Sequence, residues 1–315
     1  MEKVGLLIEM IAVDVRNVEV LVGLPASGKS TYAKEHPEYV HLSSDAIREE
    51  HDYKINNDKV FKLMETRMFE ALVAGRDVIY DATNLSAKRR KHLVSMIKNF
   101  ERSYDEKTAI KMSIVINCRV FFQPLEVLYD RNSKRTGRAC VPEDVIDRML
   151  KQFQMPMKWE GFNTIIIDKS SKGEPLPFED ICTLKQDNPY HSYTLGEHLA
   201  MASNYALSCE YTYAEVGAAL YHDVGKILTK EYDEYGIAHF YGHENVGAYM
   251  LALHFLDKEW LKFNHYIEMI ELVNYHMRPY VWKQSKKAYD RDMKWFGPNF
   301  IDKLKEVHAC DRHAH

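Results

Sequence analysis

Val18-Glu-Val-Leu-Val-Gly23-Leu-Pro-Ala-Ser-Gly28-Lys29-Ser30-Thr31 decides the fold of the first half of this 315-residue chain. An apolar run reads as a strand, a glycine-bounded turn follows, and a helix opens at Lys29. The turn fits the spacing G-x-x-x-x-G-K-S. In that setting the backbone N–H groups of Gly23, Ser27 and Gly28, with the helix N-terminus behind them, cradle phosphates. Lys29 neutralises phosphate charge, Ser30 Oγ ligates Mg²⁺, and Thr31 lies next to it. The expected cofactor is therefore ATP with Mg²⁺. The loop does not name the acceptor.

Outward from this stretch, Val40–Leu42, Asp77–Tyr80, Met112–Cys118 and Thr164–Ile167 are further strand candidates. Val60, Met64, Met68 and Leu72 recur at helical spacing, and Gly75 stops that helix. Alternating strands and helices predict an α/β domain with a parallel sheet flanked by helices, over residues 1–170. Residues 171–187, with Ser-Lys-Gly-Glu-Pro and Leu-Pro in quick succession, read as a linker. From residue 188 to 315 the pattern is helical almost throughout. Thr194-Leu-Gly-Glu197 and Thr212-Tyr-Ala-Glu215 are capping boxes there, and the domain is expected to be all-α.

Three segments after the loop carry chemistry. In His41-Leu-Ser-Ser-Asp45-Ala-Ile-Arg48, Asp45 follows a strand's carboxyl end, where ligands of α/β sheets bind. A carboxylate there accepts the proton of an attacking hydroxyl, and Arg48, three residues on, holds a substrate phosphate in two-pronged fashion. The plainer reading makes Asp45 the N-cap of the next helix. Asp81, closing Val78-Ile-Tyr-Asp81, is placed like a carboxylate behind Mg²⁺. Arg131-Asn-Ser-Lys-Arg135-Thr-Gly-Arg138 puts four cations and no acid before a fresh helix start at Val141-Pro-Glu-Asp. That is the form of a lid, with Arg131 and Arg135 on the transferring phosphoryl group and Arg135 and Arg138 at the nucleotide.

Gly-Leu-Pro-Ala-Ser-Gly-Lys-Ser-Thr, Ser-Ser-Asp-Ala-Ile-Arg, Ala-Thr-Asn-Leu-Ser-Ala-Lys-Arg-Arg and the lid segment resemble the kinase domain of the phage polynucleotide kinase family. They do so in the family's order, over roughly residues 18–155. The resemblance implies ATP-dependent phosphorylation of a 5′-hydroxyl on RNA or DNA. It makes Asp45 the general base, Arg48 the acceptor-phosphate clamp and Arg135 the lid arginine, with Thr83 and Asn84 near the acceptor. One position departs from the pattern: beside Thr83-Asn84 an acid is expected and Ala82 stands there.

The second half is rich in histidine: 11 of the 15 lie at or after His191, where a uniform spread would put about six. His222-Asp223 ends one predicted helix, and His198, His243, His276 and Asp311 sit on others. Separate helices each offering an inward imidazole or carboxylate are how a helical bundle builds a metal site. Such donors suit Mn, Fe, Ni, Co or Zn, and a cation so held lowers the pKa of water and polarises a phosphoryl group. This set, in the order H…HD…H…H…D over about 188–315, resembles the HD phosphohydrolase superfamily. The resemblance implies that His198, His222, Asp223 and Asp311 hold one divalent metal, and that Asp223 bridges to a second completed by His243 and His276. Lys226 and Arg278 are candidate phosphate contacts. His191, His239, His254, His265 and His308 are read as structural or surface residues. Asp311 lies four residues before His315, so fraying there would weaken the metal site. Asp290-Arg-Asp292 superficially matches the D-x-D strand motif of another phosphatase class, but lacks an apolar strand before it and is rejected.

The bulk figures agree with a globular protein. Apolar residues make up 46%, charged residues 28%, and the net charge of -4 excludes a generally cationic nucleic-acid binder, leaving local basic patches for any polynucleotide contact. Five dispersed cysteines without a C-x-x-C pair fit a reducing cytosol. The opening residues, with Glu2 and no small-residue cleavage site, do not read as a signal peptide, and no apolar run reaches membrane-spanning length. The composite expectation is a cytoplasmic end-healing enzyme that prepares RNA or DNA ends for a ligase. The alternative is a nucleoside or nucleotide kinase fused to an HD nucleotidase acting on small molecules; the non-enzymatic reading has the second half serve only as a binding module.

Overall fold

The computed structural model describes residues 13–108, 111–256 and 264–314. The opening residues that bear on a signal peptide lie mostly outside these. In the first half, five strands form one parallel sheet in the order β2-β3-β1-β4-β5. The strands are β1 (Val13–Val22), β2 (Val40–Ser43), β3 (Val78–Asp81), β4 (Lys111–Val120) and β5 (Thr164–Ile167). The helices between them are α1 (Lys29–Glu35), α2 (Ser44–Glu50), α3 (Asn57–Val73), α4 (Ala87–Lys107), α5 (Leu125–Ser133) and α6 (Glu143–Leu150).

β1 is the central strand, and Val18, Val20, Leu21 and Val22 are fully buried on both of its faces, as parallel sheets require. The stripe Val60, Met64, Met68 and Leu72 is wholly buried on α3. Ser43, Asn56 and Ser86 cap α2, α3 and α4 by accepting from Ala46, Lys59 and Arg89 N–H. The chain crosses from one side of β1 to the other between β3 and β4. The loop after β1 thus opens where the strand order reverses, the place where such sheets bind ligands.

The second half is helical: α7 (Phe178–Thr183), α8 (Leu195–Ser208), α9 (Tyr213–Tyr221), α10 (Lys226–Thr229), α11 (His243–Leu256), α12 (Asn264–Tyr275), α13 (Arg278–Gln284), α14 (Lys286–Phe296) and α15 (Pro298–His313). Both expected capping boxes form, at Thr194 with Glu197 and at Thr212 with Glu215. A two-stranded hairpin, β6 (Glu231–Tyr232) with β7 (Ala238–His239), interrupts the helices; Asp233 accepts from Tyr235 and Ile237 N–H to turn it. Asp290 and Asp292 lie within α14, not on a strand.

The segment 171–187, read as a linker, carries α7 and buries Leu176 and Ile181. Leu176 N–H donates to His254 Nδ1 at 3.2 Å, which gives that buried histidine a structural task. The two halves share one apolar core. Phe122, Phe153 and Tyr249 pack with ring centroids 5.2–5.7 Å apart, and Tyr249 Oη donates to Gln123 O at 2.9 Å. Buried Asn274 accepts from Met155 N–H (2.8 Å) and donates to Asn245 Oδ1 (2.9 Å), while Asn245 donates to Lys151 O (2.7 Å). The strap after α6 is therefore held by residues two positions from His243 and two from His276.

Candidate functional site

The first site is a cleft of about 690 Å³ above the sheet's carboxyl edge, with the loop after β1 as its floor. A Cβ on Gly23 would stand 2.7 Å from Ser27 Oγ and 2.9 Å from Phe121 O, so only glycine fits. Gly28 caps α1 in the left-handed region (φ 109°), and Ala26 shares that conformation (φ 64°). The Gly23 and Ser27 N–H groups, expected at the phosphates, donate instead to Thr83 O (3.1 Å) and Leu24 O (3.3 Å).

Lys29 is buried, and its Nζ donates to Gly23 O (2.8 Å) and Leu24 O (2.7 Å). Burial lowers its pKa to about 8; the Asp81 and Asp45 charges oppose that shift and Arg135 adds to it. Ser30 Oγ donates to Asp81 Oδ2 at 2.9 Å, and His41 Nε2 meets the same oxygen at 2.9 Å. Asp81 thus stands directly behind Ser30 at the end of β3.

On one wall, Arg48 donates to Asp45 Oδ1 (2.7 Å) and to Asn57 Oδ1 (3.0 Å). The Asp45 side chain is 85% exposed. It does not cap α2, because Ser43 does. Arg131 and Arg135 also line the cleft, and Arg131 Nη1 reaches Ala26 O at 3.5 Å. Thr31 and Thr83 also line it, and Thr83 O accepts from Gly23 N–H at 3.1 Å.

Two expected residues are placed elsewhere. Asn84 is buried below the loop in the left-handed region (φ 47°) and donates to Leu21 O at 2.8 Å. The Arg138 guanidinium sits 4.8 Å over the Tyr53 ring and does not line the cleft. Sequence reading missed Asn57, Phe61 and the Asp168-Lys169-Ser170 segment after β5 in the cleft lining, although the rule that singled out Asp45 applies to that segment too, and it missed His41 beside Asp81.

The second site is a buried knot of imidazoles and carboxylates. His198 Nε2 and His222 Nε2 face each other at 3.1 Å, and each stands 3.4–3.5 Å from Asp223 Oδ2 and Asp311 Oδ1. On the other side, His243 Nε2 and His276 Nε2 are 3.1 Å apart and lie 3.0 and 3.6 Å from Asp223 Oδ1. Asp223 turns one oxygen to each set, and the two sets share no other residue.

All four Nδ1 atoms meet backbone carbonyls: Ala314 for His198 (3.2 Å), Ala219 for His222 (2.9 Å), Phe240 for His243 (2.7 Å) and Val273 for His276 (2.7 Å). That arrangement leaves each inward Nε2 as a lone-pair donor. Two such lone pairs at 3.1 Å repel unless a proton or a cation lies between them, so the donor set fits divalent metals. Burial disfavours a charged His222, yet Asp223 and Asp311 outweigh it and raise its pKa to about 10. Burial likewise opposes the Asp223 charge, and Lys226 with His222 holds its carboxyl well below the usual range.

Around this knot, Tyr280 Oη donates to Asp311 Oδ2 (2.9 Å) and Lys226 Nζ pairs with Asp223 Oδ2 (2.6 Å). Lys226 also reaches Gln186 Oε1 (2.8 Å) and His191 Nε2 (3.3 Å), so His191 borders the site rather than the surface. Arg278 is committed to Asp292, with Nε 2.7 Å from Oδ2. The concern over fraying is answered locally: α15 runs to His313, Asp311 is buried, and His198 Nδ1 binds Ala314 O.

Residues 18–156 match the family described as AAA domain, and residues 190–313 match the family described as HD domain. The two matches fall on separate halves of the chain, and each agrees with the fold of its half, a parallel sheet with a glycine-rich loop and then a helical bundle. Among solved structures, it is similar to a chain of the Pnkp1/Rnl/Hen1 RNA repair complex, with 25% identity over 44% of this chain and 43% of that one, at a TM-score of 0.36. A fungal RNA kinase shares 18% identity over 52% of this chain and 78% of its own, at 0.38. A gluconokinase from Sinorhizobium meliloti 1021 shares 18% over 50% and 83%, at 0.31. The chain spans less than half the length of the RNA repair relative. No helix among the described residues is long and apolar enough to cross a membrane.

Proposed function

We propose that the P-loop domain phosphorylates the 5′-hydroxyl end of a polynucleotide, RNA or DNA, and that the HD domain removes a 3′-phosphate or 2′,3′-cyclic phosphate. One observation carries the kinase reading. The exposed Asp45 carboxylate and the Arg48 guanidinium, bonded to each other, line the same open cleft as Arg131, Arg135, Lys29 and the phosphate loop.

In this reading the loop amides and Lys29 hold the β- and γ-phosphates of ATP, once Lys29 has left Gly23 O and Leu24 O. Ser30 would hold Mg²⁺, with Asp81 behind it, and the ion neutralises phosphate charge. Arg48 clamps an acceptor phosphate, and Asp45 takes the proton as the 5′-oxygen attacks the γ-phosphorus and ADP leaves. Arg131 and Arg135 stabilise the charge on the phosphoryl group in flight.

In the HD domain, His198, His222, Asp223 Oδ2 and Asp311 would hold one divalent cation, and Asp223 Oδ1, His243 and His276 a second. Such cations supply Lewis acidity toward a phosphoryl group and acidify water. Lys226 keeps Asp223 anionic, Tyr280 orients Asp311, and the backbone carbonyls fix the four rings. The healed strand, with a 5′-phosphate and a free 3′-hydroxyl, is the substrate a nucleic-acid ligase requires.

The test uses γ-labelled ATP with 5′-hydroxyl RNA and DNA oligonucleotides of graded length and with free nucleosides. In parallel, strands ending in 3′-phosphate, 2′-phosphate or 2′,3′-cyclic phosphate are assayed with Mn, Fe, Ni, Co and Zn. Label should pass to oligonucleotides in preference to nucleosides. Equal transfer to nucleosides, regardless of length, would establish a small-molecule kinase instead.

A further inference from the structure

We propose that Phe61 is a stacking platform for the first base of the acceptor strand, so that the kinase cleft selects an acceptor carrying an aromatic base beside its 5′-hydroxyl. This rests on the polynucleotide kinase reading and deepens it.

Phe61 lines the cleft together with Asp45, Arg48 and Asn57. Asn57 and Phe61 are four residues apart on α3 and so share a face. Asn57 holds Arg48, and Arg48 holds Asp45, so the ring belongs to the wall that carries the acceptor-handling residues. The fully buried row of α3 is Val60, Met64, Met68 and Leu72; Phe61 is partly buried, packing against the core while also lining the cleft.

One face of the ring carries a cation. The Arg89 guanidinium carbon lies 3.1 Å from its centroid, and Arg89 is itself hydrogen-bonded to Tyr80 at the end of β3. A cation clamped on one face fixes the plane of a ring. The other aromatic ring of the cleft, Tyr32, belongs to the phosphate-loop helix, and its hydroxyl is tied to Glu19 at 3.0 Å. Phe61 is therefore the aromatic ring that lines the cleft beside Asp45, Arg48 and Asn57. Every nucleobase has a π-face, so stacking there favours any nucleoside end over a bare sugar without reading sequence.

The experiment compares two 5′-hydroxyl oligonucleotides that differ only in whether the first residue carries a base or is abasic. The enzymes are the full-length wild type, Phe61→Leu, which keeps apolar volume without a π-face, and Phe61→Trp. Melting temperatures establish that each variant is folded. Wild type should show a KM about tenfold or more lower for the base-bearing strand, the size expected of one stacked base. Phe61→Leu should bring that ratio close to one, and Phe61→Trp should keep it. An unchanged ratio in Phe61→Leu, or no discrimination by wild type that phosphorylates both strands, overturns the stacking role alone. A wild type that phosphorylates neither strand overturns the polynucleotide reading beneath it.

Discussion

Replacing Arg90 by Met should cost more stability than any surface change in the molecule. Arg90 is fully buried and makes four hydrogen bonds: Nε and Nη2 to the two Glu160 oxygens, each at 2.7 Å, and Nη1 to Asn84 O (2.9 Å) and Leu85 O (2.8 Å). Methionine leaves the Glu160 carboxylate buried with the Met157 N–H donating to it at 2.9 Å. Breaking one side of a buried pair costs about 3–5 kcal/mol. Asn84 O loses its donor, adding about 1–3 kcal/mol, whereas Leu85 O still accepts from Gln154 N–H. The expected loss is about 5 kcal/mol, read as a shift in urea midpoint at constant slope, and a fall in Tm of roughly 10–20 °C. Changing both partners, Arg90→Met with Glu160→Leu, should recover most of it, since replacing a buried pair by apolar side chains is near neutral. A single variant within about 1 kcal/mol of wild type, or a double variant no more stable than the single, would refute this reasoning.

Three further outcomes are expected. Asp223→Asn should lower divalent-metal content at both HD positions, measured by elemental analysis, and cut phosphohydrolysis more than about 100-fold, with kinase activity retained. Lys29, lowered to about 8 in the free protein, is charged below that pH and neutral above it. The kcat/KM for ATP should therefore fall as pH rises through about 8, and a profile flat to pH 10 would contradict the assignment. Asn274→Ala should destabilise the protein by about 2 kcal/mol through its bonds to Met155 and Asn245. Because both halves share one core, tryptophan fluorescence and far-UV dichroism should still report a single unfolding transition, against two if the halves are independent.

Much of this was legible in the sequence because the signals were local. The loop motif, the period of α3 and the two capping boxes depend on residues within a few positions of one another, and each forms. The clustered histidines and aspartates, His198 to Asp311, lie on or just beyond separate helices across more than a hundred residues; their order resembled a known pattern, and the packing of α8, α9, α11, α12 and α15 brings them together. What sequence did not disclose is pairing at a distance. Arg278 and Asp292 cancel each other 14 residues apart, and Arg138 sits on Tyr53. Asn84 spends its amide on the floor of the loop. Arg90 looks like one more cation of a basic motif until Glu160, 70 residues on, is seen beside it. Charge and residue type mark a side chain as available; only the fold decides whether a partner has already taken it.

The most direct test of two phosphate-handling centres in one chain uses a single RNA strand with a 5′-hydroxyl and a 3′-phosphate or 2′,3′-cyclic phosphate, incubated with ATP, Mg²⁺ and Mn²⁺ and read by mass spectrometry. Wild type should yield a 5′-phosphate and a free 3′-hydroxyl. Lys29→Ala should clear only the 3′ end, and Asp223→Ala should phosphorylate only the 5′ end. Loss of both activities in either soluble, folded variant, or a wild type that leaves one end unaltered, would contradict the account.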